Sequence, residues 1–203
     1  GYFQGNILKL PEDFVALKPT LLTSVPRVLD RLYDKLTSTV NSASNFRKNL
    51  FAKALNSKKK AQGGRTFIWD ALVFKKVRAT LGGKVRGILC GGAPLRPEVQ
   101  ETLACALCCP IFQGYGLTET SPVVSASVGT QEGIRIGYVG KIVKDVQVKI
   151  AEDGEILVKG PNVMQGYYKQ PEMTAEVLQN GWFHTGDIGE LDGEYLKITD
   201  RKK

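Results

Sequence analysis

Val85-Arg86-Gly87-Ile88-Leu89-Cys90-Gly91-Gly92-Ala93-Pro94-Leu95 decides the fold class of this chain. Its first six residues form a short, mostly apolar run bounded by Gly82-Gly83 and Gly91-Gly92, the signature of a buried strand. Arg96–Leu107 follows as a helix, and Pro110-Ile111-Phe112-Gln113 as a second short strand. Strand, glycine turn, helix, strand is the order of a parallel α/β unit, because parallel neighbours need a crossover rather than a hairpin. In open parallel sheets, ligands sit beyond the carboxyl ends of the strands. A glycine turn stands at each such end, Gly91-Gly92 and Gly114-Tyr115-Gly116, so both are expected to line one crevice.

Working back from this unit, Gly82-Gly83 stops a helix predicted over Phe67–Leu81. Pro26 opens another, with Val28, Leu29, Leu32, Leu36 and Val40 at helical spacing. Between them the sequence predicts a helix over Asn45–Leu55 and a polar, basic loop over Asn56–Arg65, with Lys58-Lys59-Lys60 solvated and Gly63-Gly64 at its end. Residues 1–24 read as short extended pieces broken by Pro11 and Pro19. Beyond residue 126 the pattern changes to short alternating strands over Val146–Ile150, Gly154–Lys159, Gly189–Leu191 and Tyr195–Thr199. Asp153-Gly154 and Asp192-Gly193 are hairpin turns, and a helix interrupts at Pro171–Leu178. The expected fold is therefore α/β: a parallel-sheet layer with flanking helices over residues 1–125, then a smaller β-rich subdomain over 126–203.

With 42% hydrophobic and 24% charged residues among 203, the composition is that of a soluble globular protein. No apolar run of about eighteen residues is present to span a membrane, and no secretory signal opens the chain. The net charge of +8 is uneven: residues 1–90 hold 17 Lys and Arg against 5 Asp and Glu, whereas residues 91–203 hold 11 against 15. The cations are scattered and lack the interleaved aromatics that stack bases, so a nucleic-acid partner is not expected; a pull towards anionic lipid or an acidic cosubstrate is compatible. Cys105, Cys108 and Cys109 are clustered, but with no second ligand pair and the single histidine remote, they and Cys90 read as core thiols of a reducing compartment.

The chemistry concentrates in two stretches. Gly114-Tyr115-Gly116-Leu117-Thr118-Glu119-Thr120 places an aromatic face, hydroxyls and a carboxylate on a glycine-containing turn: a ring to stack on a purine, donors for phosphate, and an oxygen ligand for a hard cation. Trp182-Phe183-His184-Thr185-Gly186-Asp187 and Thr199-Asp200-Arg201-Lys202-Lys203 follow downstream. Together they resemble the adenylate-forming superfamily. Val25-Pro26-Arg27-Val28-Leu29-Asp30-Arg31, Leu72–Arg78, Gly82–Arg86 and the basic insertion are similar to long-chain acyl-CoA synthetases, over essentially the whole chain. The opening Gly1-Tyr2-Phe3-Gln4-Gly5 resembles the same family and is read as native.

That resemblance implies a long-chain fatty acid–CoA ligase working in two half-reactions. A fatty carboxylate attacks the α-phosphate of ATP to give acyl-adenylate and pyrophosphate, and the thiol of coenzyme A then displaces AMP. It also implies roles. Glu119 coordinates Mg²⁺ and Thr118 contacts the phosphates, these two being the catalytic pair. Tyr115, between Gly114 and Gly116, stacks on adenine, whose edge lies along Gly92, Ala93 and Pro94. Asp187 accepts hydrogen bonds from both ribose hydroxyls, and Arg201 adds a ribose or phosphate contact. His184 is read as structural, since a fatty carboxylate is already ionised at neutral pH. Trp182, Tyr167 and Tyr168 are read as core or turn residues, and the acyl pocket is placed near the Gly114–Thr120 turn.

The resemblance further implies that the family's phosphate-binding loop precedes residue 1, that its C-terminal domain with a catalytic lysine follows Lys203, and that these residues alone do not complete adenylation. For the full-length protein it implies the cytoplasmic face of the endoplasmic reticulum, mitochondrial outer membrane or peroxisome, with attachment through segments outside this region. The rival readings are an amino-acid adenylation or luciferase-like ligase, and a non-catalytic nucleotide-binding module; a basic nucleic-acid binder ranks below both.

Overall fold

The computed structural model describes residues 5–6, 9–61, 66–127 and 133–202. Gly1–Gln4 of the opening run, the Gly63-Gly64 end of the expected basic loop and Lys203 lie outside the described residues. The chain divides into two compact units, Gly1–Ile111 and Phe112–Lys203.

In the first unit, α1 (Leu10–Leu17), β1 (Leu21–Ser24), α2 (Pro26–Asn41), α3 (Asn45–Lys60), α4 (Phe67–Leu72), α5 (Phe74–Ala79), β2 (Gly87–Cys90) and α6 (Pro97–Leu107) follow in order. β1 and β2 run parallel, with Leu21 opposite Gly87 and Ser24 opposite Cys90. The two-residue repeat turns Leu22, Ile88 and Cys90 into the core and leaves Leu21 and Leu89 exposed. Leu29 from α2 and Val99, Leu103 and Leu107 from α6 pack there with Leu81 and Ile111. The i, i+4 spacing on α6 makes that stripe, and each such side chain contributes about 1.5–3 kcal/mol on burial. Buried Gln100 donates its side-chain amide to the Ile111 carbonyl, so the one polar group on the stripe is satisfied.

The structure departs from the sequence expectation in three places. Leu10–Leu17 is helical rather than extended: Pro11 sits in the first turn, where no N–H is needed, and Glu12 and Asp13 face the positive end of the helix. The helix from Asn45 runs on to Lys60, through residues expected to form a loop. Lys58 is not solvated but 1% exposed, its Nζ 2.7 Å from Asp70 Oδ1, while Lys59 pairs with Glu101 at 2.6 Å. The helix expected over Phe67–Leu81 is two short ones, parted at Val73 with no glycine or proline to mark the break. Phe74, just past the break, is fully buried edge-on against Phe51, their centroids 6.0 Å apart.

The second unit is an antiparallel sheet. β3 (Ile111–Tyr115) leads the chain into it, followed by β4 (Ser125–Ala126), β5 (Gly140–Ile142), β6 (Gln147–Ile150), β7 (Glu155–Lys159), α7 (Pro171–Val177), β8 (Leu178–Gln179), β9 (Trp182–Asp192) and β10 (Tyr195–Arg201). The order across the sheet is β3-β4-β5-β10-β9-β7-β6, with β8 on β9. Val124, Val139, Ile156, Val158, Phe183 and Leu196 form its core. The strand expected at Gly189–Leu191 is the end of an eleven-residue strand that starts at Trp182. From Ile188 to His184, β9 takes four steps while β7 takes two, from Glu155 to Leu157. The surplus is a bulge at Thr185-Gly186-Asp187, and bulges re-aim the side chains they carry.

Candidate functional site

Tyr115 is the last residue of β3, paired with Ser125 of β4. The chain then turns at Gly116, where a Cβ would overlap the Pro122 carbonyl oxygen; only glycine fits. Thr118–Thr120 form one 3₁₀ turn. Buried Thr120 locks it from within: its Oγ1 accepts from the Leu117 N–H at 2.9 Å and stands 3.0 Å from the Leu117 carbonyl and 3.1 Å from that of Pro122. Asn162 donates its amide to the carbonyls of Thr120 and Val123, and the Met164 N–H donates to the Glu119 carbonyl. Thr118 is left exposed and Glu119 half-buried. The Tyr167 hydroxyl donates to Glu119 Oε1 at 2.9 Å. Tyr167 is therefore part of this site, whereas its sequence suggested only core or turn.

Asp187 arrives from the β9 bulge. Gly186 has a φ of +72°, a left-handed turn that favours glycine, and its N–H donates to Glu155 Oε1 at 2.8 Å. The Asp187 N–H donates to Thr185 Oγ1 at 3.1 Å, and Thr185 in turn donates to the Ile156 carbonyl at 2.8 Å. With the backbone held so, Asp187 Oδ2 accepts from the Tyr115 hydroxyl at 2.8 Å, and Oδ1 lies 3.6 Å from Arg201 Nε on the facing residue of β10. Tyr115, Asp187 and Arg201, named separately from sequence, are together in the structure. Burial drives the Tyr115 phenol above its usual pKa; a Thr185 hydrogen bond opposes this, and Asp187 adds to the rise. The phenol stays protonated and donates.

Glu155 is another residue that sequence reading missed. It is 5% exposed, and its carboxylate takes the Gly186 N–H, His184 Nδ1 at 3.1 Å and Lys202 Nζ at 3.1 Å. Burial alone would raise its pKa, but these three partners outweigh it and hold Glu155 below the ordinary carboxylate range. Lys202 also reaches Asp153 at 2.6 Å, and its backbone N–H donates to the Gly186 carbonyl at 2.7 Å. The one available signal was an acid at the head of the apolar run Ile156-Leu157-Val158. His184 is held by this carboxylate. Trp182 lies on the sheet with Lys149 4.3 Å from its ring centroid.

Gly92, Ala93 and Pro94 form an exposed turn after β2 in the first unit, ahead of buried Leu95. Gly114 lies within β3, opposite Ala126. All four cysteines are free, and Cys90, Cys105 and Cys109 are buried. Burial pushes the Cys90 thiol to about 11 and Cys109 to about 12, so they remain neutral core groups. Among the described residues no group of three or more His, Cys, Asp or Glu could hold a metal ion by itself. A single carboxylate, Glu119, fits Mg²⁺, which binds through one or two carboxylates and takes its other ligands from phosphate and water.

The AMP-binding enzyme family model matches residues 2–168. The chain is 44% identical to the peroxisomal long chain acyl-CoA synthetase 7 of Arabidopsis thaliana, over all of this chain and 31% of that protein. It spans about a third of the length of the curated relatives it matches. Among solved structures it superposes on the N-terminal domain of FACL13 from Mycobacterium tuberculosis with a TM-score of 0.61 at 22% identity, covering 97% of this chain and 43% of that one. The O-succinylbenzoate coenzyme A synthetase of Bacillus subtilis, solved with ATP and magnesium ion, gives 0.58 at 24% identity, over 97% and 34%. At such identities these likenesses show the fold: parallel strands flanked by helices, then an antiparallel region.

Proposed function

The chain belongs to the AMP-binding enzyme family, and from that premise we propose that it is the nucleotide-binding part of a long-chain fatty acid–CoA ligase. The hydrogen bond between Tyr115 and Asp187, 72 residues apart in sequence, carries this reading, because it joins the two stretches expected to hold one nucleoside. In the proposed complex Tyr115 offers its ring to adenine while its hydroxyl steadies Asp187. Asp187 takes the ribose diol: each carboxylate oxygen has two lone pairs, so Oδ2 accepts a ribose hydroxyl alongside the phenol. Arg201 faces the same carboxylate and is placed for ribose or phosphate.

Fatty carboxylate and triphosphate repel one another, so the first half-reaction needs that charge neutralised before attack. Glu119 is the proposed Mg²⁺ ligand, oriented by the Tyr167 hydroxyl and by the backbone bond from Met164. Bound Mg²⁺ would supply charge neutralisation on the phosphates. Thr118, exposed on the same 3₁₀ turn, donates its hydroxyl to phosphate oxygen. The acyl chain and coenzyme A complete the substrate set.

The test is calorimetric. AMP is expected to bind the chain saturably and CMP more weakly, because a single pyrimidine ring stacks less well on Tyr115. A chain that gives no saturable heat with AMP sinks the nucleotide reading. In the whole protein, thioester formation from ATP, coenzyme A and fatty acids of rising length tests the substrate class; activity confined to short or amino acids overturns it.

A further inference from the structure

Two tyrosines stand side by side in Gly166-Tyr167-Tyr168, and the fold treats them differently. Tyr168 is 85% exposed. Tyr167 turns inward and donates its hydroxyl to Glu119 Oε1 at 2.9 Å, across 48 residues of chain. The backbone sets that difference. The Tyr167 N–H donates to Thr174 Oγ1 on α7 at 2.9 Å, and Thr174 Oγ1 donates in turn to the Gln170 carbonyl at 2.8 Å. The Gln170 N–H closes the turn on the Tyr167 carbonyl at 3.2 Å. Gly166 lies so close to Thr174 that a Cβ would come within 2.7 Å of its Cγ2, so a side chain there would push Thr174 aside.

Glu119 is anchored by the same segment. Its carbonyl accepts the Met164 N–H at 2.8 Å, and Met164 packs against the sheet core. Met164 thus holds the backbone of Glu119 while Tyr167, three residues on, holds its side chain. None of the bonds that brace the turn uses the phenol oxygen, whose partner is Glu119. The two carboxylate oxygens are thereby made unequal. Oε1 is engaged by the phenol, and Oε2 has no protein donor among the described residues.

Hard cations differ in what they ask of a carboxylate. Ca²⁺ is large, gathers many oxygens and accepts both oxygens of one carboxylate; Mg²⁺ is smaller, octahedral and keeps several of its waters. A cation chelated by both Glu119 oxygens must compete with the phenol for Oε1, whereas one bound through Oε2 alone leaves that hydrogen bond intact. A hydrogen bond to an ionised acceptor is stronger than one between neutral groups, so displacing it is costly. We infer that Tyr167 is a specificity-determining residue: by occupying Glu119 Oε1 it confines the carboxylate to single-oxygen coordination and favours Mg²⁺ over Ca²⁺. The inference rests on the reading of Glu119 as the metal ligand and adds to it the choice of metal.

Calorimetric titration of the whole protein with ATP in Mg²⁺ and in Ca²⁺, without fatty acid so that nothing turns over, tests both levels. The readout is the ratio of the two dissociation constants, in which any loss of nucleotide affinity common to both cations cancels. The parent is expected to bind ATP more tightly with Mg²⁺. Tyr167→Phe keeps the ring, removes the hydroxyl and should narrow that preference about three- to tenfold, mainly through tighter binding with Ca²⁺. Tyr168→Phe should leave the ratio unchanged. Glu119→Gln should abolish the dependence of ATP binding on either cation. A parent that binds ATP equally well with both cations overturns the inference without any substitution. So does a Tyr167→Phe protein that keeps the parent's ratio, and in that case Glu119 still stands as the ligand. If Glu119→Gln keeps the parent's cation dependence, the metal assignment itself fails and the role of Tyr167 falls with it.

Discussion

Asp70→Ala is expected to destabilise the fold by about 3–5 kcal/mol, a large share of a typical domain's stability. The carboxylate is 19% exposed and holds the ammonium of Lys58, which is 1% exposed. Removing one partner of such a pair strands the other charge in a poorly solvated place. Asp70 also accepts from the Thr66 N–H and hydroxyl and from the Cys108 thiol, so further donors lose their acceptor. Urea denaturation should show the loss as a lowered midpoint at unchanged slope. Adding Lys58→Met should recover most of it, because an apolar side chain of similar length fills the site without a charge; a double variant as unstable as the single one would mean that packing, not charge, sets the cost. The pH dependence has a definite sign. Burial raises the Asp70 pKa, but the hydrogen bonds from Lys58, Thr66 and Cys108 outweigh it and hold it below the ordinary value. The pair's stabilisation is therefore complete above the unfolded aspartate pKa and is lost as pH falls through the lower folded value. Asp70→Ala should flatten that acid limb.

The same pair shows where the sequence stopped being legible. Lys58-Lys59-Lys60 beside Gly63-Gly64 has the composition of a solvated loop, and nothing local distinguishes Lys58 from its neighbours. Its burial comes from Asp70, twelve residues on and in another helix, so tertiary contact overrode a sound local rule. The parallel unit was readable because its signals are local: β2, its glycine turn, α6 and β3 follow the expected order within one or two residues. β9 was half-readable. Gly189–Leu191 showed, but the bulge at Thr185–Asp187 interrupts the alternation that would have revealed one long strand. For the candidate site, residues that could touch a ligand were visible as motif members: Tyr115, Thr118, Glu119, Asp187 and Arg201. The residues that orient them, Glu155, Tyr167 and Lys202, carry at most a faint local signal, such as the acid heading Ile156-Leu157-Val158; their role exists only once segments far apart in sequence lie side by side.

Asp187→Ala is expected to weaken AMP binding about a hundredfold. Hydrogen bonds to a charged partner contribute roughly 1.5–3 kcal/mol each, and competition from water at an open site reduces the two ribose bonds to about 2–4 kcal/mol together. Asp187→Asn keeps one oxygen acceptor and should lose about tenfold by the same reckoning. Tyr115→Phe is the discriminating control. It keeps the ring for adenine and removes only the hydroxyl bonded to Asp187 Oδ2, so a change of a few-fold is expected, on the order of 1 kcal/mol. Melting temperatures identify variants that act by unfolding rather than by losing the ligand. If Tyr115→Phe costs as much affinity as Asp187→Ala, the two side chains brace one another and do not meet the nucleoside separately. If Asp187→Ala binds AMP as the parent does while remaining folded, the ribose assignment fails, and with it the joining of the Gly114–Thr120 turn to the β9 bulge as one site.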